Sequence, residues 1–363
     1  MREGSMSDYA SLIPVSVVTG FLGSGKTTLL RQLLSAPSLQ ETAVLVNEFG
    51  EIGLDHHLLQ HVSESTLLLE NGCLCCAVRG DLSESLRELY SQRERQEVPY
   101  FKRAVIETSG LADPVPIAFT VLTDAVLQHH FRLGNIVATI DAVIGAGGLV
   151  DHPESVKQAA VADRLVLTKT DLCGEGELEP LVEELRQLNS SALIIQSDAD
   201  RLDPEFILAE DMYHPDGKAR EAALWRQVGD GQSTEAELLD HGHGHGGIYS
   251  FCLQFDQPLD WTAFGIWMSM LVHRHGENVL RMKGMLNVRG QTSPVLIIGV
   301  QHIVHPPEHL DHWPDADQRS RIIFIVCGLS RAKIETSLAV FNSLANSPAT
   351  EGVLGHAVNL SNC

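Results

Sequence analysis

Residues 20–28 read Gly20-Phe21-Leu22-Gly23-Ser24-Gly25-Lys26-Thr27-Thr28, which fits G-x-x-x-x-G-K-S/T, a loop that wraps the phosphates of a nucleoside triphosphate. Gly20, Gly23 and Gly25 let backbone amides converge on the phosphates; Ser24 and Thr28 complete the motif. Lys26 supplies positive charge at the outer phosphates, and the Thr27 hydroxyl is placed for Mg²⁺. Further along, Gly72-Cys73-Leu74-Cys75-Cys76 sets three thiols within four residues. Thiolates select soft or borderline ions, so Cys73, Cys75 and Cys76 are metal candidates for Zn²⁺, Co²⁺ or Cu⁺. The spacing differs from that of a zinc finger. The rival reading is redox, since low-pKa thiols oxidise to a disulfide.

Two more segments carry chemistry. Thr168-Lys169-Thr170-Asp171 follows an apolar run, where GTPases carry N-K-x-D. Asp171 would accept the donors of guanine N1 and N2, and the Lys169 stem would pack over the base. Adenine offers no such donor pair, so an acid here discriminates by leaving a polar group unpaired. Glu107-Thr108-Ser109-Gly110 also ends an apolar run. Glu107 can orient a Mg²⁺-bound or attacking water, and Gly110 lets backbone approach the terminal phosphate, as in switch segments.

The remaining cysteines, Cys173, Cys252, Cys327 and Cys363, are scattered and read as small hydrophobes. His241, His243 and His245 alternate with glycines; they are either a weak collecting site for metal or a soluble spacer. His302, His305, His309 and His312 lie in a loop-like stretch and read as surface histidines.

These side chains need elements to hold them. Pro14–Thr19 is a β-branched run feeding the glycine loop, and Lys26–Leu34 continues as a helix, the context the phosphate motif requires. Strands are expected at Thr42–Asn47, Ser65–Glu70, Ala104–Glu107, Ile136–Ile140, Arg164–Thr168 and Ala192–Gln196. Helices are expected at Asp81–Gln96, Pro116–His129, Glu154–Val161 and Glu177–Leu188. Alternation of this kind predicts an α/β, doubly wound, mostly parallel sheet. From Ile248 a second pattern begins: a strand at Ile248–Phe255, a helix opened by Asp260-Trp261, strands near Asn278–Arg289, Pro294–Val304 and Arg321–Leu329, and a closing helix at Arg331–Leu344. That is a smaller α+β domain. The expected organisation is a nucleotide domain over 10–225, a Gly/His-rich linker over 226–247 and the α+β domain over 248–350.

The chain has 363 residues and a formal net charge of −21, which argues against a nucleic-acid partner. Met1–Leu12 lacks the apolar core of a signal peptide, and Pro294–Val300 and Ile322–Gly328 are too short to cross a bilayer. A cytoplasmic location is expected, with no membrane partner and reduced thiols.

In combination and order, these segments resemble the CobW-type GTPases, P-loop metallochaperones that include the zinc-regulated GTPase metalloprotein activators. The matching stretches are VTGFLGSGKTTLL (18–30), VNEFGEIGLD (46–55), ENGCLCC (70–76), ETSGLADP (107–114), LTKTD (167–171), LRMKGMLNVRG (280–290) and GVQHIVH (299–305). The resemblance implies GTP or GDP with Mg²⁺ at Gly20–Thr28, guanine at Lys169 and Asp171, and a transferable metal at Cys73, Cys75 and Cys76. It also implies a nucleotide-dependent switch at Glu48 and Glu51. The expected function is slow GTP hydrolysis, with Lys26 and Glu107 as catalytic residues, coupled to zinc delivery to a client metalloprotein. The alternatives are cobalt delivery for cobalamin synthesis, a passive zinc buffer or sensor, and a P-loop small-molecule kinase. An oligomer is compatible with all of these.

Overall fold

The computed structural model of the protein describes residues 7–46, 67–70, 79–174, 176–198, 202–227 and 247–345. Seven strands form the first sheet: β1 (Ile13–Gly20), β2 (Thr42–Val46), β3 (Leu67–Glu70), β4 (Arg103–Glu107), β5 (Phe131–Asp141), β6 (Arg164–Thr168) and β7 (Leu193–Gln196). Their order is β3-β2-β4-β1-β5-β6-β7, and every ladder is parallel. β5, β6 and β7 run outward from β1 in chain order; on the other side the chain goes out through β2 and β3 and returns to insert β4 beside β1. The expected doubly wound α/β architecture is present.

The side-chain period of two explains both covered faces. On β1, Val15 and Val17 join a core with Leu82, Leu86, Val121, Ala159 and Leu185 from the helices on one side. Val18 points to the other side and joins Leu29, Leu30 and Leu33 of helix Lys26–Leu34 with Ile207 and Leu208. The strand ends also align. Val18 pairs with Glu107, Glu107 with Val46, and Val46 with Glu70, so β4, β2 and β3 finish in one register row while β1 runs on to Gly20.

Local departures from the expected elements have identifiable causes. The helix expected over Pro116–His129 stops at Thr123 and resumes as a 3₁₀ turn at Leu127–His129. Asp124 interrupts it. Its Oδ1 accepts the N–H groups of Val126 and Leu127 at 2.9 and 3.0 Å, while Oδ2 takes Ser83 at 2.6 Å and Arg87 at 2.5 Å. An unexpected helix spans Gly145–Asp151; its glycines Gly145, Gly147 and Gly148 hide it from propensity.

The second sheet holds β8 (Ile248–Phe255), β9 (Val279–Leu286), β10 (Val295–Val300), β11 (Ile303–Val304), β12 (Glu308–His309) and β13 (Ser320–Cys327). The order is β11-β10-β9-β13-β8, with β12 also on β10, and all pairs are antiparallel. The single strand expected over Pro294–Val304 is a hairpin instead. The chain reverses at Gln301, whose φ is +49°, and Val300 pairs with Ile303. Helices Trp261–His275 and Arg331–Ala345 cover one face through Phe264, Trp267, Ile334 and Leu338 against Leu253, Met282 and Phe324. The first of these opens as expected at Asp260, whose carboxylate accepts Ala263 N–H at 2.9 Å. Helix Pro215–Gln227 covers the opposite face through Ala222 and Trp225 against Met285, Leu296 and Ile323.

A buried charge cluster joins the sheets. Asp163, just before β6, pairs with Arg281 of β9 and with Lys283 at 2.9 Å. Glu221 pairs with Arg164 and with Lys283 at 3.2 Å. His305 lies beside this cluster and is only 5 % exposed, so the surface reading of that histidine is corrected. The hairpin after β10 folds it inward, and its N–H donates to the Ile298 carbonyl at 2.8 Å.

Candidate functional site

The phosphate-motif residues form one loop at the C-terminal end of β1. Gly20 has φ +139°, and a Cβ there would come within 2.2 Å of Thr139 Oγ1 and 2.5 Å of the Thr139 carbonyl oxygen. Only glycine lets β1 turn this close to β5. Ser24 and Thr139 share a hydroxyl hydrogen bond at 2.6 Å beneath the loop. Helix Lys26–Leu34 then begins, with Gly25 at its N-cap position and no side-chain cap. Its N-terminus therefore presents the backbone amides and partial positive charge that suit a phosphate. The Lys26 ammonium reaches back across the loop to the carbonyls of Gly20 and Phe21, at 2.9 and 3.2 Å. Thr28 is exposed on the first turn.

Glu107 brings β4 to this loop. The Thr27 hydroxyl donates to Glu107 Oε1 at 2.5 Å, and Glu107 is 3 % exposed. Thr27 and Glu107 lie 80 residues apart in sequence, yet the structure places them in contact. Gly110 closes the same corner: a Cβ there would lie 2.6 Å from the Leu22 backbone nitrogen. Gln158 holds this segment through its side-chain amide, which donates to the carbonyls of Gly110 and Ala112 at 3.1 and 2.9 Å. Gln158 was not singled out by sequence, and nothing local marks it.

The other end of the site sits at the end of β6. Thr168 Oγ1 lies 2.7 Å from the Ser24 carbonyl and 3.3 Å from that of Ile140. Lys169 adopts φ +58°, and its ammonium meets Asp141 Oδ2 at 2.5 Å. Burial pushes the Asp141 carboxyl up, but Lys169 and the N–H groups of Val143 and Ile144 outweigh it, so the group is held below its usual range. Asp171 lies in the exposed turn Thr170–Leu172. Thr170 donates to Asp198 at 2.8 Å, tying this turn to the chain after β7.

A cavity of about 250 Å³ adjoins the loop, lined by Phe21, Leu22, Ser24, Asp141, Ile144 and His152 among others. Phe21 stacks on His152 with centroids 4.2 Å apart. Glu48, Glu51, Cys73, Cys75, Cys76 and the His241–His245 tract lie outside the described residues. Among the described residues, no group of three or more His, Cys, Asp and Glu could hold a metal ion, and no helix is long and apolar enough to cross a membrane. Cys252 and Cys327 are half-buried in the second sheet.

The sequence and the architecture have counterparts among known proteins. The CobW/HypB/UreG nucleotide-binding domain matches residues 14–196. The cobalamin synthesis protein CobW C-terminal domain matches residues 248–342. The chain belongs to the CobW/HypB/UreG family. Zinc chaperone YjiA of Escherichia coli is 31% identical over 327 residues, covering 90% of this chain and 98% of YjiA. Zinc-regulated GTPase metalloprotein activator 1 of Schizosaccharomyces pombe is 36% identical over 198 residues, 53% of this chain and 47% of that protein. The crystal structure of Zn(II)-bound YjiA GTPase from Escherichia coli aligns with a TM-score of 0.68 at 25% identity, covering 91% of this chain and 99% of that one. The family resemblance expected from the motifs is thereby shown. The two CobW-family regions fall on the two sheets: the first spans β1 to β7, the second β8 to β13.

Proposed function

We propose that this CobW-family protein is a GTP-hydrolysing metallochaperone. It binds zinc through Cys73, Cys75 and Cys76 and passes it to a client metalloprotein under control of the bound nucleotide. The proposed units are 10–225, 226–247 and 248–350. The names of the relatives support both the GTPase and the zinc halves of this reading.

The observation that carries the coupling is the row Glu107–Val46–Glu70. Glu107 touches the phosphate loop through Thr27. Glu70 ends β3 two strands away, roughly 10 Å at the usual strand spacing. The cysteine segment starts three residues later in the chain. A change at the terminal phosphate therefore has a short path to the thiolates.

The residues at the loop fit Mg²⁺–GTP. The Thr27 hydroxyl and Glu107 carboxylate are hard oxygen donors, the type this ion prefers. When bound, Mg²⁺ neutralises charge on the phosphates. Lys26 adds positive charge at the outer phosphates. Asp171 takes the guanine donors, and Lys169 covers the base. Basal turnover is slow in this reading. Loss of the terminal phosphate relaxes the segment around Gly110 and the switch residues Glu48 and Glu51, and the thiolates release their metal.

The test is one titration series: Zn²⁺ and Co²⁺ affinity with no nucleotide, with GDP and with a non-hydrolysable GTP analogue. The reading expects at least a tenfold change between GDP and analogue states, about 1.4 kcal/mol. Cys75→Ser should weaken Co²⁺ binding at least as much as Cys73→Ser or Cys76→Ser, and reduce the thiolate charge-transfer band. Equal affinities in all three states would make the protein a passive buffer. Transfer of phosphate to an acceptor other than water would make it a kinase.

A further inference from the structure

We infer that Asp141 is a positioning residue for nucleotide binding: it fixes the Lys169 side chain as the platform on which the purine lies. The inference rests on the reading of Lys169 and Asp171 as the base-recognition pair.

Asp141 ends β5 directly opposite Thr168 on β6, and the Ala142 N–H donates to the Thr168 carbonyl at 2.9 Å. Its two carboxylate oxygens have different tasks. Oδ2 takes the Lys169 ammonium at 2.5 Å. Oδ1 accepts the N–H groups of Val143 and Ile144 at 2.9 and 3.3 Å, which fixes the turn leaving β5. The side-chain exposures are unequal: 6% for Asp141 against 41% for Lys169. The carboxylate is thus anchored in the protein, and the lysine is the mobile partner that it holds.

That asymmetry has a functional consequence. Lysine is a point charge on a flexible four-carbon stem, and holding it in one conformation costs rotamer entropy. Lys169 also sits at φ +58°, so its backbone is already set in the left-handed region. With its ammonium tied to a buried carboxylate, the stem is laid out before nucleotide arrives. Binding then avoids part of the ordering cost, which is how preorganisation raises affinity. The tether also keeps the charge at the base end of the site, leaving Lys26 to serve the phosphates. The benefit is the same for GTP and GDP, so it acts on affinity and leaves the chemical step alone.

Asp141→Asn and Lys169→Met separate this role from others in the full-length protein. Asparagine keeps the Oδ1 acceptor for Val143 and Ile144. Methionine keeps an unbranched stem to cover the base and removes only the charge. Each single change should weaken binding of a fluorescent GDP by about tenfold and raise the KM for GTP similarly, with kcat within about twofold. The double variant should be no worse than either single one. Lys169→Arg should retain most of the affinity, because a guanidinium still reaches Asp141, and it keeps the test open if Asp141→Asn fails to fold. Additive losses in the double variant would overturn the inference. So would a fall in kcat at unchanged KM, or Lys169→Met and Lys169→Arg behaving alike. Competition by ATP equal to that by GTP in the unmutated protein would instead remove the base reading itself.

Discussion

Thr168 places its hydroxyl 2.7 Å from the carbonyl oxygen of Ser24, so the strand carrying the base motif is bound to the loop carrying the phosphate motif. The usual asparagine at this position is replaced by a shorter side chain that still donates. A single hydroxyl proton serves the nearer carbonyl, and the Ile140 oxygen at 3.3 Å is secondary. Thr168→Val keeps the shape and removes the donor, leaving a buried carbonyl of the phosphate loop unpaired at a cost of about 1–3 kcal/mol. The expected result is a KM for GTP raised by roughly tenfold. Thr168→Asn restores a donor and should bind GTP at least as well as the unmutated chain. Steady-state kinetics on the two variants checks this; equal behaviour of both would remove the tie as a factor.

Thr27 and Glu107 meet at 2.5 Å with Glu107 buried. Glu107→Gln keeps an acceptor for Thr27 while removing the charge. Hydrolysis should fall by about a hundredfold or more in kcat, as when a preorganised electrostatic group is lost. Nucleotide affinity should change far less. Thr27→Val should raise the Mg²⁺ concentration needed for half-maximal turnover. Lys26→Ala should abolish turnover. Near-normal hydrolysis in Lys26→Ala would mean that the loop does not act on phosphate.

What could be read from sequence was local. The phosphate loop is contiguous, and its strand and helix flank it, so Gly20 to Thr28 needed no long-range information. The ends of β4 and β6 were legible because apolar runs stop at Glu107 and Thr168. The partners of those residues were not. Asp141 meets Lys169, and Gln158 meets Gly110, only because the crossovers return to the same edge of the sheet. His305 illustrates the same limit. The stretch QHIVHPPEHLDHW looks like a solvated loop, but one left-handed residue, Gln301, turns it back as a hairpin and buries that histidine.

Asp163 and Glu221 face three cations, Arg164, Arg281 and Lys283, across the junction of the two sheets. Removing an anion there leaves buried positive charge uncompensated. Asp163→Asn should therefore destabilise the protein by about 3–5 kcal/mol in urea unfolding. Lys283→Met leaves Asp163 with Arg281 and Glu221 with Arg164, an evenly matched set, and should cost much less. The acid limb follows from the sign of the shift. Burial raises the Asp163 carboxyl, but Arg281, Lys283 and the Ile136 N–H more than reverse this and hold it well below the usual carboxylate range. A depressed folded value means stability that is complete above the unfolded value, about 3.9, and is lost as pH falls below it. Asp163→Asn should flatten that limb; an unchanged acid limb would show that other carboxylates govern it.

His305 sets a separate, milder acid sensitivity. Burial pushes its imidazole down to about 3, helped by Arg281 and Arg132 and opposed by Asp163. Neither ring nitrogen has a hydrogen-bond partner among the described residues. In the unfolded chain the group titrates near 6.5. Between about 3 and that value the unfolded chain carries a proton that the folded protein refuses, so stability rises with pH through this window. The contribution is about 1.4 kcal/mol per pH unit. It should be visible between pH 6.5 and 5, before Asp163 and Glu221 begin to protonate in the unfolded state. His305→Phe keeps a ring of similar shape and has nothing to titrate. The difference in unfolding free energy between variant and unmutated protein should therefore move in favour of the variant by about 1.6 kcal/mol from pH 6.5 to 5. Parallel stability curves for the two proteins over that range would mean that His305 binds its proton in the folded state, through a water or a shift of Arg281 that opens the cluster to solvent.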